Sequence, residues 1–516
     1  SGPAAVFTLT ESGTVEFAIT SIYADNPGFS SSSTRNNKID LPNQDYTALL
    51  KYQLYWLASI QLKTGSGKGA LPLNDAFENV IDTPSPYDES NADKFPHSIR
   101  PYFAIEAANA FLLDEDYWGN AKAYIDWHFA HINPEIQPGN DENPNYLPGT
   151  IYDYTYDFKG TELVTHTLNS LLPYYDSVDS YAALFLDLLY NYVMITEDTS
   201  VLTDPGNADL IELVYEALEA CIYQYDITAG VLTRQPKGTT SKDYEMTIAM
   251  PEYAIEYLMD NVEVHKGLES AVELFKLSDI NRLDLSASAA VHKTKVKNSL
   301  DDWFLVDGDP TFGVPYYRYY AGADNAAVGF DDNHPNYNDL YDFYPDALAQ
   351  LFVFLYRAVK TDAGDPDGKL LADQMYASFC SRFEDWVLHD GSILDWVQVG
   401  SGTGTPPVFT DADWLQKEIV YPWIQISRVA ALIGDMDRTV TSLENIQKRF
   451  RERTNPFPVT CQESADAALA AAAYMENYYT FLGQKYAPPL VTYYNDDGSP
   501  GATLAYKYPY ILDELL

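Results

Sequence analysis

The spacing of helical segments limits what this chain can fold into more than any other feature. From Gln44 onward, apolar residues recur at helical periodicity in about twelve segments. The first six run Gln44 to Leu62, His97 to Leu113, Tyr117 to Ile132, Asp176 to Thr196, Asn207 to Tyr225 and Asp260 to Leu277. The rest run Asp279 to Trp303, Pro345 to Val359, Pro366 to Leu388, Asp411 to Ile433, Met436 to Arg451 and Cys461 to Phe481. The connections alternate in length. Those at 113–117, 196–207, 277–279, 359–366 and 433–436 are short, whereas 63–96, 133–175, 226–257, 305–344, 389–410 and 454–460 are mostly long and rich in Pro, Gly, Asn, Asp and Tyr. Short links force antiparallel neighbours, so the alternation gathers every long loop at one end of a helical array.

About six helical hairpins closed into a ring satisfy that pattern, with the even-numbered helices inside and their N-termini converging on one mouth. The expected fold is mainly α, one large α/α toroid over residues 34–485. A β-strand segment and Ser-rich linker at 1–33 precede it, and an extension at 486–516 packs on it. Within 1–33, the alternating runs Ala5–Thr10 and Thr14–Thr20 read as a hairpin or paired edge strands.

The inner helices announce themselves by composition. In Leu172–Tyr192, Asp176 and Ser177 are placed to accept orphan backbone N–H bonds, Asp179 follows three residues after Asp176, and Tyr181, Leu184, Phe185, Leu188, Leu189 and Tyr192 recur at helical spacing. Ala347-Leu-Ala-Gln-Leu-Phe-Val-Phe-Leu355 is too apolar for a surface helix, and Glu463-Ser-Ala-Asp-Ala-Ala-Leu-Ala-Ala-Ala-Ala473 is built of small residues that suit a crowded position.

Charge excludes several partners. Asp and Glu outnumber Lys and Arg 75 to 32, for a net charge of −43. Counterion release on a phosphate backbone needs clustered cations, so nucleic acid is not the expected partner. Anionic membranes and polyanions are disfavoured too, leaving neutral or weakly charged ligands. No apolar run reaches the length of about 18 residues that a membrane span needs, and the start Ser1-Gly-Pro-Ala-Ala has no secretion-signal pattern. An extracellular or cell-surface, saline setting fits the charge. Cys221, Cys380 and Cys461 lack both disulfide arithmetic and metal-ligand spacing and read as buried thiols.

The helix count, the loop alternation and Asp176-Ser-Val-Asp-Ser-Tyr181 at an inner-helix start resemble the six-hairpin glycosidase-like superfamily, the (α/α)6 toroids. Tyr257-Leu-Met-Asp-Asn-Val-Glu-Val-His-Lys-Gly-Leu268 and Phe343-Tyr-Pro-Asp-Ala-Leu-Ala-Gln-Leu351 resemble further inner-helix openings, and the likeness covers roughly Gln44 to Phe481. It implies a carbohydrate-active protein acting on an oligo- or polysaccharide, most simply a glycoside hydrolase. Such chemistry needs two carboxyl groups across the scissile bond, one protonated and one ionised. Two helix starts supply candidates, Asp176 with Asp179 and Asp260 with Glu263. Helix N-termini favour ionised first-turn aspartates as base or nucleophile. Glu263, one turn in, is the candidate acid, with Glu245 as a loop alternative. Capping alone also explains each pair.

Aromatic and planar polar groups in the long loops are the candidate sugar contacts: Tyr154 in 152–157, Tyr317 and Arg318 in 316–320, Asp342, Trp414, Trp423, and His97 with Arg100 at an inner-helix opening. Ordinary loop packing is the alternative for the tyrosines, and a structural ion pair for Arg100. No phosphate loop, dinucleotide fingerprint or Gly-flanked serine is present, so no cofactor is expected. The run Gly329–Asp339 gathers oxygen ligands without the order of a calcium loop, which makes bound calcium the lesser reading there. A glycan-binding or filament subunit, forming a homo-oligomer by exchange of its N-terminal strands, and a polysaccharide lyase using Tyr and His are the alternative functions.

Overall fold

A computed structural model describes residues 46–73, 98–134, 147–156, 177–226, 245–250, 255–306, 314–322, 347–366, 368–383, 424–452 and 460–481, with short strands at 15–16, 38–39, 163–165, 167–168, 172–173, 231–234, 490–494 and 500–505. Twelve helices of eight or more residues occur among them. These are α1 (Thr47–Ile60), α2 (Pro101–Phe111), α3 (Trp118–His131), α4 (Asp179–Thr196), α5 (Asn207–Ala220), α6 (Leu258–Leu274), α7 (Leu283–Ser299), α8 (Leu348–Leu355), α9 (Lys369–Arg382), α10 (Gln425–Ile433), α11 (Met436–Glu452) and α12 (Cys461–Phe481).

The even-numbered helices close a ring. α2 packs on α4, α4 on α6, α6 on α8, α8 on α10, α10 on α12, and α12 returns to α2. The odd-numbered helices back them from outside: α1 lies on α12, α3 on α2 and α4, α5 on α4, α7 on α6, α9 on α8, and α11 on α10 and α12. This is the (α/α)6 toroid. Burial follows the layering. α4 is buried on nearly every side and α8 loses almost all its side chains to the core, whereas α7 buries only Ser286, Ala289, Lys295, Val296 and Ser299.

The short links have local causes. Gly434, at φ +92°, ends α10 in the left-handed conformation that favours glycine, and α11 begins two residues later. α12 opens with a reciprocal capping box: the Thr460 N–H donates to Glu463 Oε2 (2.8 Å), and the Glu463 N–H donates to Thr460 Oγ1 (3.2 Å). In the long connections small antiparallel sheets form instead. Ser98–Ile99 pairs with Tyr154–Tyr156, which pairs with Leu163–Thr165; Ile222–Asp226 lies between Glu245–Thr247 and Val231–Arg234; Ile255–Tyr257 pairs with Tyr320–Gly322.

Some boundaries differ from expectation. The segment expected to stay helical to Tyr225 ends at Ala220, because Ile222-Tyr-Gln-Tyr-Asp226 alternates and joins a sheet. α7 passes into a single π-turn at Leu300–Phe304. In the N-terminal segment Val15–Glu16 pairs with Lys38–Ile39; the other expected strand, Ala5–Thr10, lies outside the described residues. Leu490–Tyr494 and Pro500–Ala505 form a C-terminal hairpin. All three cysteines are buried thiols, and among the described residues no helix is long and apolar enough to cross a membrane.

Candidate active site

The site is set by how closely α4 and α6 approach. A Cβ at Gly267 would stand 2.5 Å from the Cα of Ala183, so only glycine permits this contact. Both helices begin at the mouth and run side by side, and residues four apart share a face. One turn nearer the mouth, that register brings Asp179 opposite Glu263. One turn deeper, Ser270 Oγ donates to Asp187 Oδ1 (2.5 Å). The strand segment 245–250 fastens both helix starts: the Val178 N–H donates to the Ala249 carbonyl (2.6 Å), the Thr247 N–H donates to Asn261 Oδ1 (2.9 Å), and Asn261 Nδ2 donates to the Thr247 carbonyl (3.1 Å).

Asp179 and Glu263 are both fully buried. Asp179 Oδ1 accepts from Ser177 Oγ (2.6 Å) and from the Ser180 N–H (2.8 Å), while Oδ2 has no hydrogen-bond partner among the described residues. Burial pushes its carboxyl up to about 6 against the hydrogen bonds that hold it down. Glu263 Oε1 accepts from the Tyr102 hydroxyl (2.7 Å), and Oε2 has no hydrogen-bond partner among the described residues. Burial pushes Glu263 up to about 8; the Tyr102 hydrogen bond opposes this, and the charges of Glu106 and Asp179 reinforce it. In both groups the elevation comes first from burial itself.

Capping accounts for part of this arrangement. Ser177 Oγ accepts from the Ser180 N–H (3.2 Å), so Ser177 caps α4. Asp179 both serves that first turn and keeps one oxygen spare. Glu263 lies beyond the helix start and caps nothing. Asp260 is half-buried in the first turn of α6, where its charge acts on Tyr102. Asp176 lies outside the described residues, as do His97, Asp342, Trp414, Trp423 and the run 329–339.

The remaining candidates fall elsewhere. Arg100 pairs with Asp153, which also accepts from the Tyr181 hydroxyl (3.0 Å), so it is held in a structural ion pair. Tyr154 and Tyr317 are core residues and not sugar platforms. Tyr154 packs edge-on against Trp127 and His131 because its strand turns it inward, and Tyr317 is buried with its hydroxyl accepting from the Lys360 N–H (2.9 Å). Arg318 follows the strand Tyr316–Tyr317, which pairs with Leu305–Val306, and its N–H donates to the Phe304 carbonyl (2.8 Å). Glu245, the loop alternative, is engaged with Lys295 Nζ (2.8 Å) and His292 Nδ1 (2.5 Å), away from Glu263's partners. A cavity that admits about one water lies against Ser177, Val178, Tyr181 and His128, too small for a sugar ring. Among the described residues no group of three or more His, Cys, Asp or Glu is arranged to hold a metal.

Sequence reasoning missed a second set of polar groups on the ring's helices: half-buried Tyr102 and buried Glu106 on α2, and buried Asp187 on α4, Arg428 on α10 and Asp466 on α12. Their signal was present as lone charges in small or apolar helices, as in Ala104-Ile-Glu-Ala-Ala108 and Ser464-Ala-Asp-Ala-Ala468.

No protein-family model matches the chain, and no curated protein does. Among solved structures, a wild-type glycosidase aligns over 85% of this chain and 98% of its own at 11% identity, with a TM-score of 0.46. A bacterial glucoamylase complexed with acarbose aligns over 85% of this chain and 56% of its own, also at 11% identity and 0.46. An α-amylase from Clostridium perfringens aligns over 83% of this chain and 97% of its own at 12% identity and 0.44. By its own helix-to-helix contacts the chain is an (α/α)6 toroid of six helical hairpins.

Proposed function

We propose that the protein is a carbohydrate-active enzyme, a glycoside hydrolase whose general acid is Glu263 and whose ionised partner is Asp179. One observation carries this reading: two carboxyls on adjacent inner helices, each with a spare oxygen, have pKa values held apart at about 8 and about 6. Between those values the pair keeps one proton, which is the state that acid-assisted cleavage requires. Both carboxyls are closed to solvent in the structure, so this reading requires the α4–α6 mouth to open to the glycan; Glu263 then gives its proton from Oε2 to the leaving glycosidic oxygen while Tyr102 fixes its other oxygen. Asp179, through Oδ2, meets the positive charge that develops at the anomeric carbon, as nucleophile or as base toward water. The substrate is a neutral glycan, since a net charge of −43 repels polyanions.

Reducing-end release from a panel of neutral oligo- and polysaccharides tests this, with E263Q and D179N beside the parent. Release by the parent and a loss of roughly 10²- to 10⁴-fold in each folded variant is expected. Parent-level release by both variants would remove the pair from the chemistry.

A further inference from the structure

We propose that the small cavity behind the start of α4 is a site for one ordered water joining His128 to Ser177, and that His128 is thereby a positioning residue for Asp179. The second half of this rests on the reading of Asp179 as the ionised partner. The cavity has room for about one water. It lies between α3, the loop residues Gly149–Ile151, the α4 start and α5, and His128, Thr150, Ser177 and Tyr181 are the polar side chains of its lining. A water held inside a protein needs two or more polar partners.

Two of the four are already spent. The Thr150 hydroxyl donates to the Leu147 carbonyl (2.7 Å) and accepts from Asn133 Nδ2 (3.0 Å), and Tyr181 gives its proton to Asp153 Oδ1 (3.0 Å). Ser177 gives its proton to Asp179 Oδ1 (2.6 Å) and accepts from the Ser180 N–H (3.2 Å), so one lone pair of its Oγ is left. His128 lies flat against Phe185, with ring centroids 3.7 Å apart, and its Nδ1 stands 3.3 Å from the Tyr124 hydroxyl. Tyr124 has one proton and the Pro101 carbonyl to take it (3.4 Å), which assigns the ring hydrogen to Nδ1 and leaves Nε2 an acceptor. Burial keeps the ring neutral by holding its pKa well below the usual range, and His131 adds to this.

Two acceptors are therefore left at the cavity, Nε2 and the spare Oγ lone pair, and one water has two O–H bonds to give them. A Ser177 hydroxyl that accepts from this water donates more strongly to Asp179, because hydrogen bonds in a chain polarise one another. The chain from His128 through water and Ser177 favours the ionised carboxylate against the burial that raises Asp179. The other groups acting on Asp179 are Ser180 of its own helix, Thr247 of the strand segment and Glu263 of α6; those acting on His128 are Tyr124 and His131 of α3.

A high-resolution crystal structure of the parent should show one water in this cavity within about 3.2 Å of both His128 Nε2 and Ser177 Oγ. An empty cavity, or a water that misses either atom, overturns the proposal. Carbon-13 NMR titration of the Asp179 carboxyl, identified against D179N, then reads the positioning role without any substrate. In H128F, which keeps the stack on Phe185 and lacks Nε2, the titration should move up by about half a pH unit. H128Q, whose amide can stand in for Nε2, should stay near the parent, and H128F should add no further shift once Ser177 is replaced by Ala. A titration unmoved in H128F, or moved equally in the S177A background, excludes the positioning role and leaves the hydrolase reading standing. A parent that releases no sugar removes the hydrolase reading and leaves the water in place. Should H128F fail to fold, the crystal structure of S177A decides: the water should be lost with Oγ, and a water kept there overturns the chain.

Discussion

Glu263 costs the fold stability as the pH rises. Its carboxyl titrates at 4.5 without the protein environment and at about 8 in the fold; Asp179 moves from 3.8 to about 6. Between these limits the folded chain binds more protons than the unfolded chain, so these two groups make stability fall as pH rises from about 4 to about 8. Replacing Glu263 with Gln keeps an acceptor for Tyr102 and removes the penalty. Calorimetry of E263Q should show a melting temperature above the parent's at pH 8, corresponding to a stability gain on the order of 4 kcal/mol, and little change near pH 4. Identical pH dependence in both would mean that Glu263 is not held protonated. Part of this was legible in the sequence, because Asp179 and Glu263 sit at the first and second turns of strongly periodic helices. Tyr102 was not legible, since a tyrosine in Pro101–Phe111 reads equally as an exposed position until the ring turns it toward Glu263; Glu106 was legible only as a lone charge in an apolar helix. Tyr154 and Tyr317 were misread for the converse reason: loop tyrosines turn inward once short strands pair around them.

At the scale of elements, the α4–α6 contact and the anchoring of the strand before α6 carry the site. Gly267→Ala places a Cβ against the Ala183 backbone, which cannot yield without moving the helices apart. Chemical denaturation should show a loss of about 1–3 kcal/mol, and the Glu263 titration should shift toward that of an ordinary carboxyl as the pair separates. Unchanged stability would mean that the close approach is not required. The second anchor is His292. Burial alone would lower its pKa, but hydrogen bonds and charge from Glu219 and Glu245 outweigh this and raise it to about 9. That stabilisation is complete below about pH 6.5 and is lost as pH rises through about 9. H292Q should therefore be destabilised by about 2 kcal/mol at pH 6 and should lose the parent's fall in melting temperature between pH 6.5 and 9 that this histidine contributes. Helix ends were predictable where caps are written in the chain, as at Thr460 and Glu463. They failed at Ala220, where alternation over a few residues decided for a strand.

The whole molecule was legible through its connections more than its helices. Alternating short and long links specify helical hairpins with one crowded end, and the ring closure of α12 onto α2 follows from that arithmetic. The alternation does not reveal which inner faces meet, because the register between α4 and α6 depends on one glycine. That register brings two acids, 84 positions apart in the chain (263 − 179), close enough for the charge of Asp179 to add to the rise of Glu263. The pH dependence of kcat/KM on a hydrolysed glycan tests this most directly. A bell is expected, falling below about 6 as Asp179 takes up a proton and above about 8 as Glu263 loses one, with the alkaline limb absent from the residual rate of E263Q. A profile flat between pH 5 and 9, or an alkaline limb that survives in E263Q, would contradict a proton shared between these two acids.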